Sequence, residues 1–456
     1  MKKEPKNFLS IWVLVLGYRL STRVLVTSKY LVFFGGFAAL LLFWMMRGLA
    51  PQLYLFFTAL PDGVRKPDPF VDLLSILQAG KCWREGIDVY RPSPCLFGGT
   101  FNYSPFLLRA AYLPIGPQDT GIGGILLALS FFAALTLLPR PASPRENIFR
   151  LAATFSLTSF YALEQGNFDV TIFVVTIISV RMIIRAKANP RAAYAVMAVL
   201  AAVKFYPAAL GIFILREPFR KFALIVTLGV LAGLIFVALY AHGIAAALTT
   251  IPNSPPFRAT FGRIDLFRGF NLLHLLTVHR ANHLLDREVF SSGQTLAACA
   301  SLIASMAALA ASFFRRRRYS LPLKQLKPDI RLFLVAGAAV IVFCFYAAQN
   351  VEYRAIFLLL TLPGLWRIGG KRLLLGGILV LLWESGFRAL LHSPGLLALH
   401  DTTQLAFWLL REGLWWWLVI ELGAVVLAFV TEEFTRLLKE FQTLSREKID
   451  LSAKKP

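Results

Sequence analysis

Long apolar runs, cut at intervals by short polar or basic stretches, dominate the chain. They lie at about 30–46, 120–138, 149–163, 168–184, 192–215, 222–241, 293–314, 331–347, 354–366, 373–391 and 413–431. Each run is continuously apolar rather than alternating, which predicts membrane helices and not a membrane β-barrel. Crossing the hydrocarbon core takes roughly 20 apolar residues. The piece from Phe8 to Leu16 is too short for that and sits among Lys2, Lys3, Lys6, Arg19, Arg23 and Lys29. Residues 1–29 therefore read as a basic N-terminus with an interfacial helix. Residues 30–431 read as one helical bundle, and residues 432–456, with both charges at helical spacing, as a C-terminal tail. Two stretches between spans are long, at about 47–119 and 242–291. Loops of that length between membrane helices usually carry function.

Residues 192–215 have basic clusters at both ends and Lys204-Phe-Tyr-Pro207 in the middle. Read as one crossing, the segment puts Arg315–Arg318 on the side opposite the other basic clusters. Read as two half-helices meeting near Lys204, it leaves them all on one side. We expect the hairpin, because broken helices are tolerated where they line a protein cavity. About twelve crossings result if each half-helix is counted.

Composition supports this class. Of 456 residues, 57% are hydrophobic and 16% charged. Soluble domains have roughly 45–50% and 25%. Mean hydropathy is +0.63. The net charge of +23 falls on the loops expected to be cytoplasmic, so it reads as topology and contact with membrane lipids rather than nucleic-acid binding. Both termini are then expected in the cytoplasm. The four cysteines form no CxxC motif, although Cys82 and Cys95 share the first long loop and could pair in an oxidising compartment. His274, His279 and His283 do not share one helical face, and no HExxH occurs. No metal site is expected. Phosphate-binding GxxxxGK[ST], nucleophile-elbow GxSxG and dinucleotide GxGxxG patterns are absent too. Trp415-Trp416-Trp417 reads as an interfacial aromatic belt.

The candidate chemistry lies in a few polar places. Asp72 opens an amphipathic stretch with Leu73, Leu74, Ile76 and Leu77, so it is either a helix cap, as Asp68 could be, or a catalytic carboxylate. Glu164-Gln165-Gly166-Asn167 is either a plain turn or a polar wall facing a sugar. Asp169 follows just inside a helix, where an ionisable group is costly unless paired or wetted. Lys204 needs an anion or a water-filled cavity, which leaves a structural ion pair or a phosphate contact open. Arg354 would bind phosphate bidentately or neutralise Glu352. Glu384 and Arg388 are spaced as a structural i,i+4 pair.

These pieces occur in a telling order. An early aspartate precedes Ala79-Gly80, Gly86-Ile-Asp-Val-Tyr90, Phe101-Asn-Tyr103-Ser-Pro105 and Leu113-Pro114. Then come Glu164-Gln165-Gly166-Asn167 and Lys204-Phe-Tyr-Pro207. The order resembles glycosyltransferase family 87, the polyprenyl-phosphate-mannose-dependent mannosyltransferases of the GT-C fold, over roughly Asp68 to Arg220. The resemblance implies a GT-C-like bundle of about 11–13 transmembrane helices, with amphipathic helices in the first outer loop. It implies catalysis on the periplasmic or extracellular face of the plasma (inner) membrane, with Asp72 as general base. The donor would be a polyprenyl-phosphate sugar and the acceptor a glycolipid or glycan, with no cofactor. Glu352 and Arg354 stand near a position where some family members carry histidine, so the sugar stays open between mannose and another hexose. The expected substrate contacts are Tyr103, Gln165, Asn167, Lys204, Tyr206, Glu352 and Arg354. A transporter or flippase of a lipid-linked sugar is the competing expectation.

Overall fold

A computed structural model describes residues 30–59, 68–96, 98–186, 190–250, 259–278, 287–390 and 402–453. The expected interfacial helix in residues 1–29 lies outside them, as do His279 and His283. The chain is an all-α, multi-pass membrane protein. Its helices are α1 (Tyr30–Leu49), α2 (Pro51–Ala59), α3 (Val71–Arg84), α4 (Thr120–Leu135), α5 (Pro144–Thr154), α6 (Leu157–Glu164), α7 (Phe168–Arg185) and α8 (Arg191–Val203). They continue with α9 (Phe219–Thr249), α10 (Asp265–Val278), α11 (Arg287–Arg315), α12 (Arg317–Gln325), α13 (Pro328–Ala347), α14 (Leu362–Ile368), α15 (Arg372–Leu382), α16 (Glu384–Leu390) and α17 (Thr402–Ala453). Two 3-10 segments, Tyr206–Arg216 and Glu352–Leu360, complete the bundle wall.

Among the described residues, six helices are long and apolar enough to cross a membrane, and α6 with α7 adds a seventh if that bent pair is one span. The remaining apolar helices are short. The break between α6 and α7 turns the chain by 109°. Residues 192–215 break as well. α8 ends at Val203, and the 3-10 segment from Tyr206 folds back beside it. Tyr194 at the start of the first leg donates its hydroxyl to Phe213 O at 3.2 Å and to Glu217 at 2.8 Å at the end of the second. Both legs therefore begin and end together, as a hairpin with Lys204 at its tip.

Basic residues gather at the opposite end of the bundle from that tip. There Arg436 reaches the carbonyls of Leu215 and Glu217, Arg331 pairs with Glu432 and Glu433, and Arg315 and Lys371 flank Glu421. Arg367 and Arg150 share Glu146 at the same end.

α13 is the central post, with 72% of its apolar window buried. α9 is the reverse case, with none of its window buried, so its surface is left to lipid. Two short strands, β1 (Thr260–Phe261) and β2 (Asn350–Val351), pair antiparallel and pin the second long loop onto the end of α13. Beneath them Trp415 is buried and stacks on Phe261 at 4.1 Å. Trp415 is thus core packing rather than part of an interfacial belt. A second correction concerns Glu384, which forms its ion pair with Arg411 at 2.9 Å where an i,i+4 pair with Arg388 was expected.

Candidate active site

The first turn of α3 carries Asp72, and its backbone amides need acceptors. No side chain caps them. The cap position is Phe70, in the left-handed region at φ 65°, and it makes no side-chain cap bond. The chain's own 164–167 turn supplies the acceptors instead. Phe70 N donates to Glu164 O at 2.6 Å, Asp72 N to Gln165 O at 2.9 Å and Leu73 N to the same carbonyl at 3.4 Å. The Asp72 carboxylate is therefore not a cap. It accepts Asn167 Nδ2 at 2.6 Å. Asn167 is occupied at both ends of its amide, because its Oδ1 accepts Asp169 N at 2.8 Å and caps α7. One side chain thus starts a helix and aims a carboxylate.

Close packing explains the glycine in that turn. Gly166 has φ +59°, and a Cβ there would stand 3.1 Å from the Cβ atoms of Phe70 and Leu73. L residues with side chains rarely adopt that conformation.

Beside Asp72 lies a buried ionic centre. Asp169 is fully buried and accepts from Lys204, from Arg354 Nε at 2.9 Å and from the Tyr206 hydroxyl at 2.9 Å. Arg354 also reaches Asn350 Oδ1. Lys204 Nζ sits 4.7 Å from the Tyr103 ring centroid, and Arg354 lies 5.3 Å from that of Tyr206. Such contacts hold cations in a desolvated site. Two cations face one carboxylate, which leaves one positive charge for Asp72 or a ligand. Asn167 touches both Asp72 and the Asp169 amide, so the two clusters form a single polar centre.

Of the expected residues, Asp72, Asn167, Lys204, Tyr206, Arg354 and Tyr103 come together here. Gln165 belongs through its backbone carbonyl, while its side chain turns to Glu164. Glu352 stands apart: it is buried against Thr158 at 2.7 Å and Ser385 at 2.5 Å. It does not neutralise Arg354, which Asp169 does. Asp68 is also elsewhere, exposed and paired with Arg47. Asp169, Tyr353 and Asn350 were not among the expected contacts. An ionisable residue in the first turn of an apolar helix was the signal for Asp169. Tyr353 and Asn350 carried none, because their places come from the turn after α13.

An apolar groove of about 380 Å³ reaches the 164–167 turn at Glu164. Leu42, Phe43, Phe57, Phe155, Phe160 and Trp383 line it, and Tyr161 and Glu164 lie along it too. Tyr161 packs on Tyr353 at 5.7 Å, and Tyr54 donates to Glu164 at 3.1 Å. The groove thus runs from lipid-exposed side chains to the turn that carries Asn167. The first long loop is closed by a Cys82–Cys95 disulfide. Comparison with family models, curated proteins and solved structures finds no match to this chain.

Proposed function

We propose that the protein is an integral-membrane inverting glycosyltransferase of GT-C-like architecture. It moves a hexose, mannose or another, from a polyprenyl-phosphate donor to a hydroxyl of a glycolipid or glycan acceptor. The observation that carries this reading is the Asp72 carboxylate, aimed by Asn167 in the polar centre that holds Lys204 and Arg354, with an apolar groove reaching the same turn at Glu164. In the step, the acceptor oxygen attacks the anomeric carbon and its proton passes to Asp72. The bond from that carbon to the phosphate oxygen breaks, and the phosphate leaves with the electron pair. Attack opposite the phosphate inverts the anomeric centre. A positioned base typically contributes about 10²–10⁴-fold. Polyprenyl phosphate is already a stable anion, so positive charge near it matters more than a strong acid. Lys204 and Arg354 supply that charge, and Asp169 holds both in place. The groove takes the first isoprene units of the donor.

The Asp72 end is assigned to the non-cytoplasmic side of the plasma (inner) membrane, with both termini in the cytoplasm. Supporting this are the basic clusters at the opposite end and the disulfide in the first long loop. The test is transfer of radiolabelled polyprenyl-phosphate mannose, and then of other polyprenyl-phosphate hexoses, in proteoliposomes supplied with a total lipid extract. Label moving to a new product with wild type, and about 10²–10⁴-fold more slowly with folded Asp72→Asn, is the expected result. Transfer that survives in Asp72→Asn sinks the assigned base. Labelled lipid that crosses the bilayer without any transfer sinks the reaction and leaves a flippase.

A further inference from the structure

A second polar cleft, of about 660 Å³, lies at the same end of the bundle as Asp72 but away from it. Lys81, Arg84 and Glu85 of the α3 C-terminus form one wall, and the segment from Pro114 to Gln118 forms the other. Lys81 and Arg84 stand nine and twelve residues along α3 from Asp72, about 13–18 Å at 1.5 Å per residue. The cleft is therefore not the transferase centre.

Its charge balance is positive. Lys81 lies 4.0 Å from Glu85 with both side chains half exposed, and Arg84 is exposed beside them. Neighbouring acids are engaged elsewhere. Asp119 Oδ2 accepts Gly116 N at 2.8 Å, and Asp88 pairs with Arg91 at 3.3 Å.

What lies below the cleft identifies the ligand. Gln118 leads directly into α4, and Ile122, Ile125 and Leu126 follow it at the spacing of one helix face. These three are 68%, 39% and 59% exposed, an apolar stripe on a helix long enough to cross the membrane. The rim at the level of the cleft is aromatic and apolar. Tyr112, Leu113 and Ile115 are exposed, Trp83 packs edge-on against Tyr112 at 5.6 Å, and Arg109 lies 5.5 Å from the Trp83 ring. Aromatic rings and arginine at one level mark the boundary between headgroups and acyl chains.

We propose that this cleft binds the headgroup of an anionic phospholipid. Lys81, Arg84 and the Gln118 amide hold the phosphate, and the acyl chains run down along Ile122 and Leu126. A soluble anion would use the cations alone, whereas a phospholipid uses the cations and the apolar stripe beneath them together. The proposal does not depend on the transferase reading.

The test is native mass spectrometry of the purified, detergent-solubilised full chain titrated with phosphatidylglycerol or phosphatidylcholine. Wild type binds phosphatidylglycerol preferentially. The double variant Lys81→Gln/Arg84→Gln loses roughly thirtyfold in that affinity, from about 1 kcal/mol per interfacial cation. The charge-keeping variant Lys81→Arg/Arg84→Lys stays close to wild type. Equal binding of the two lipids, or an unchanged double variant, overturns the proposal. Full displacement of the lipid by inorganic phosphate also overturns it and makes the cleft a soluble-anion site. A photoactivatable phosphatidylglycerol gives a readout on wild type alone. Cross-links within residues 81–85 or 112–126 agree with the proposal, and cross-links confined to other segments overturn it.

Discussion

Asn167 shows how much one side chain can hold. Its oxygen caps α7 and its nitrogen orients Asp72, so substitutions separate the two duties. Asn167→Asp keeps the capping oxygen but sets a second carboxylate against Asp72. Transfer should fall by tenfold or more, and the melting temperature should fall as well, because two carboxylates then meet in a buried place. Asn167→Ala removes both and should also cost about 1 kcal/mol of stability, the usual price of a lost cap. Asp169 has a different part. It is the buried partner of two cations, and removing one member of such a group leaves uncompensated charge. Asp169→Asn should destabilise the protein by about 3–5 kcal/mol, read as a lowered midpoint of unfolding in detergent. At this scale the sequence was informative wherever polarity conflicted with its surroundings. Asp72, Lys204 and Asp169 all stood out against apolar neighbours. Glu352 stood out equally and points elsewhere, because Thr158 and Ser385, remote in sequence, satisfy it.

Among elements, the decisive contact is between α3 and the turn joining α6 to α7. The amides of α3 have no cap of their own, so the helix is seated only where that turn offers its carbonyls. Phe70 makes the seat tight. A Cβ on Gly124 would fall 2.3 Å from the Phe70 ring, so α4 approaches at a distance that only glycine permits. Gly124→Ala should push Phe70 and α3 away from the turn. We expect a stability loss of about 1–3 kcal/mol, as for overpacking, with a fall in transfer exceeding that of a lipid-facing control such as Leu239→Ala on α9. Measuring both variants by thermal unfolding and by transfer checks this. The long apolar helices were legible from apolar run length, whereas α2, α3, α10 and α12 lie outside those runs. The seat of α3 was not, because it depends on backbone geometry: a left-handed Phe70 and a left-handed Gly166 that leave no periodic trace. The hairpin at Lys204 was legible for another reason, since two basic flanks and a central Lys-Phe-Tyr-Pro are hard to place in one crossing.

For the whole molecule, the segregation of charge gives a direct test of topology. Single cysteines replacing Arg191, Arg216 and Lys221 should all react with a membrane-impermeant maleimide from one side of sealed vesicles. A cysteine replacing Gln118 should react only from the other side. Arg191 and Arg216 labelling from opposite sides would contradict the hairpin. Among the described residues, six helices, or seven with the bent α6–α7 pair, are long and apolar enough to cross alone, and the other apolar runs fold as short or bent pieces. A run of apolar residues reports burial in protein and burial in lipid alike, and only the assembled bundle distinguishes them. The same ambiguity made Trp415 look interfacial when Phe261 covers it.

The Cys82–Cys95 link has a consequence in time. Cys82 lies on the helix that presents Asp72, and Cys95 lies in the loop that follows it. Cytoplasmic thiols stay reduced, so the link closes only in an oxidising compartment. A newly made chain placed as proposed would carry this loop unsealed until it had crossed the membrane. Maturation would then be ordered, with insertion first and fastening of the loop beside the polar centre afterwards, and the cell's capacity to oxidise thiols beyond the membrane would govern how many molecules are finished.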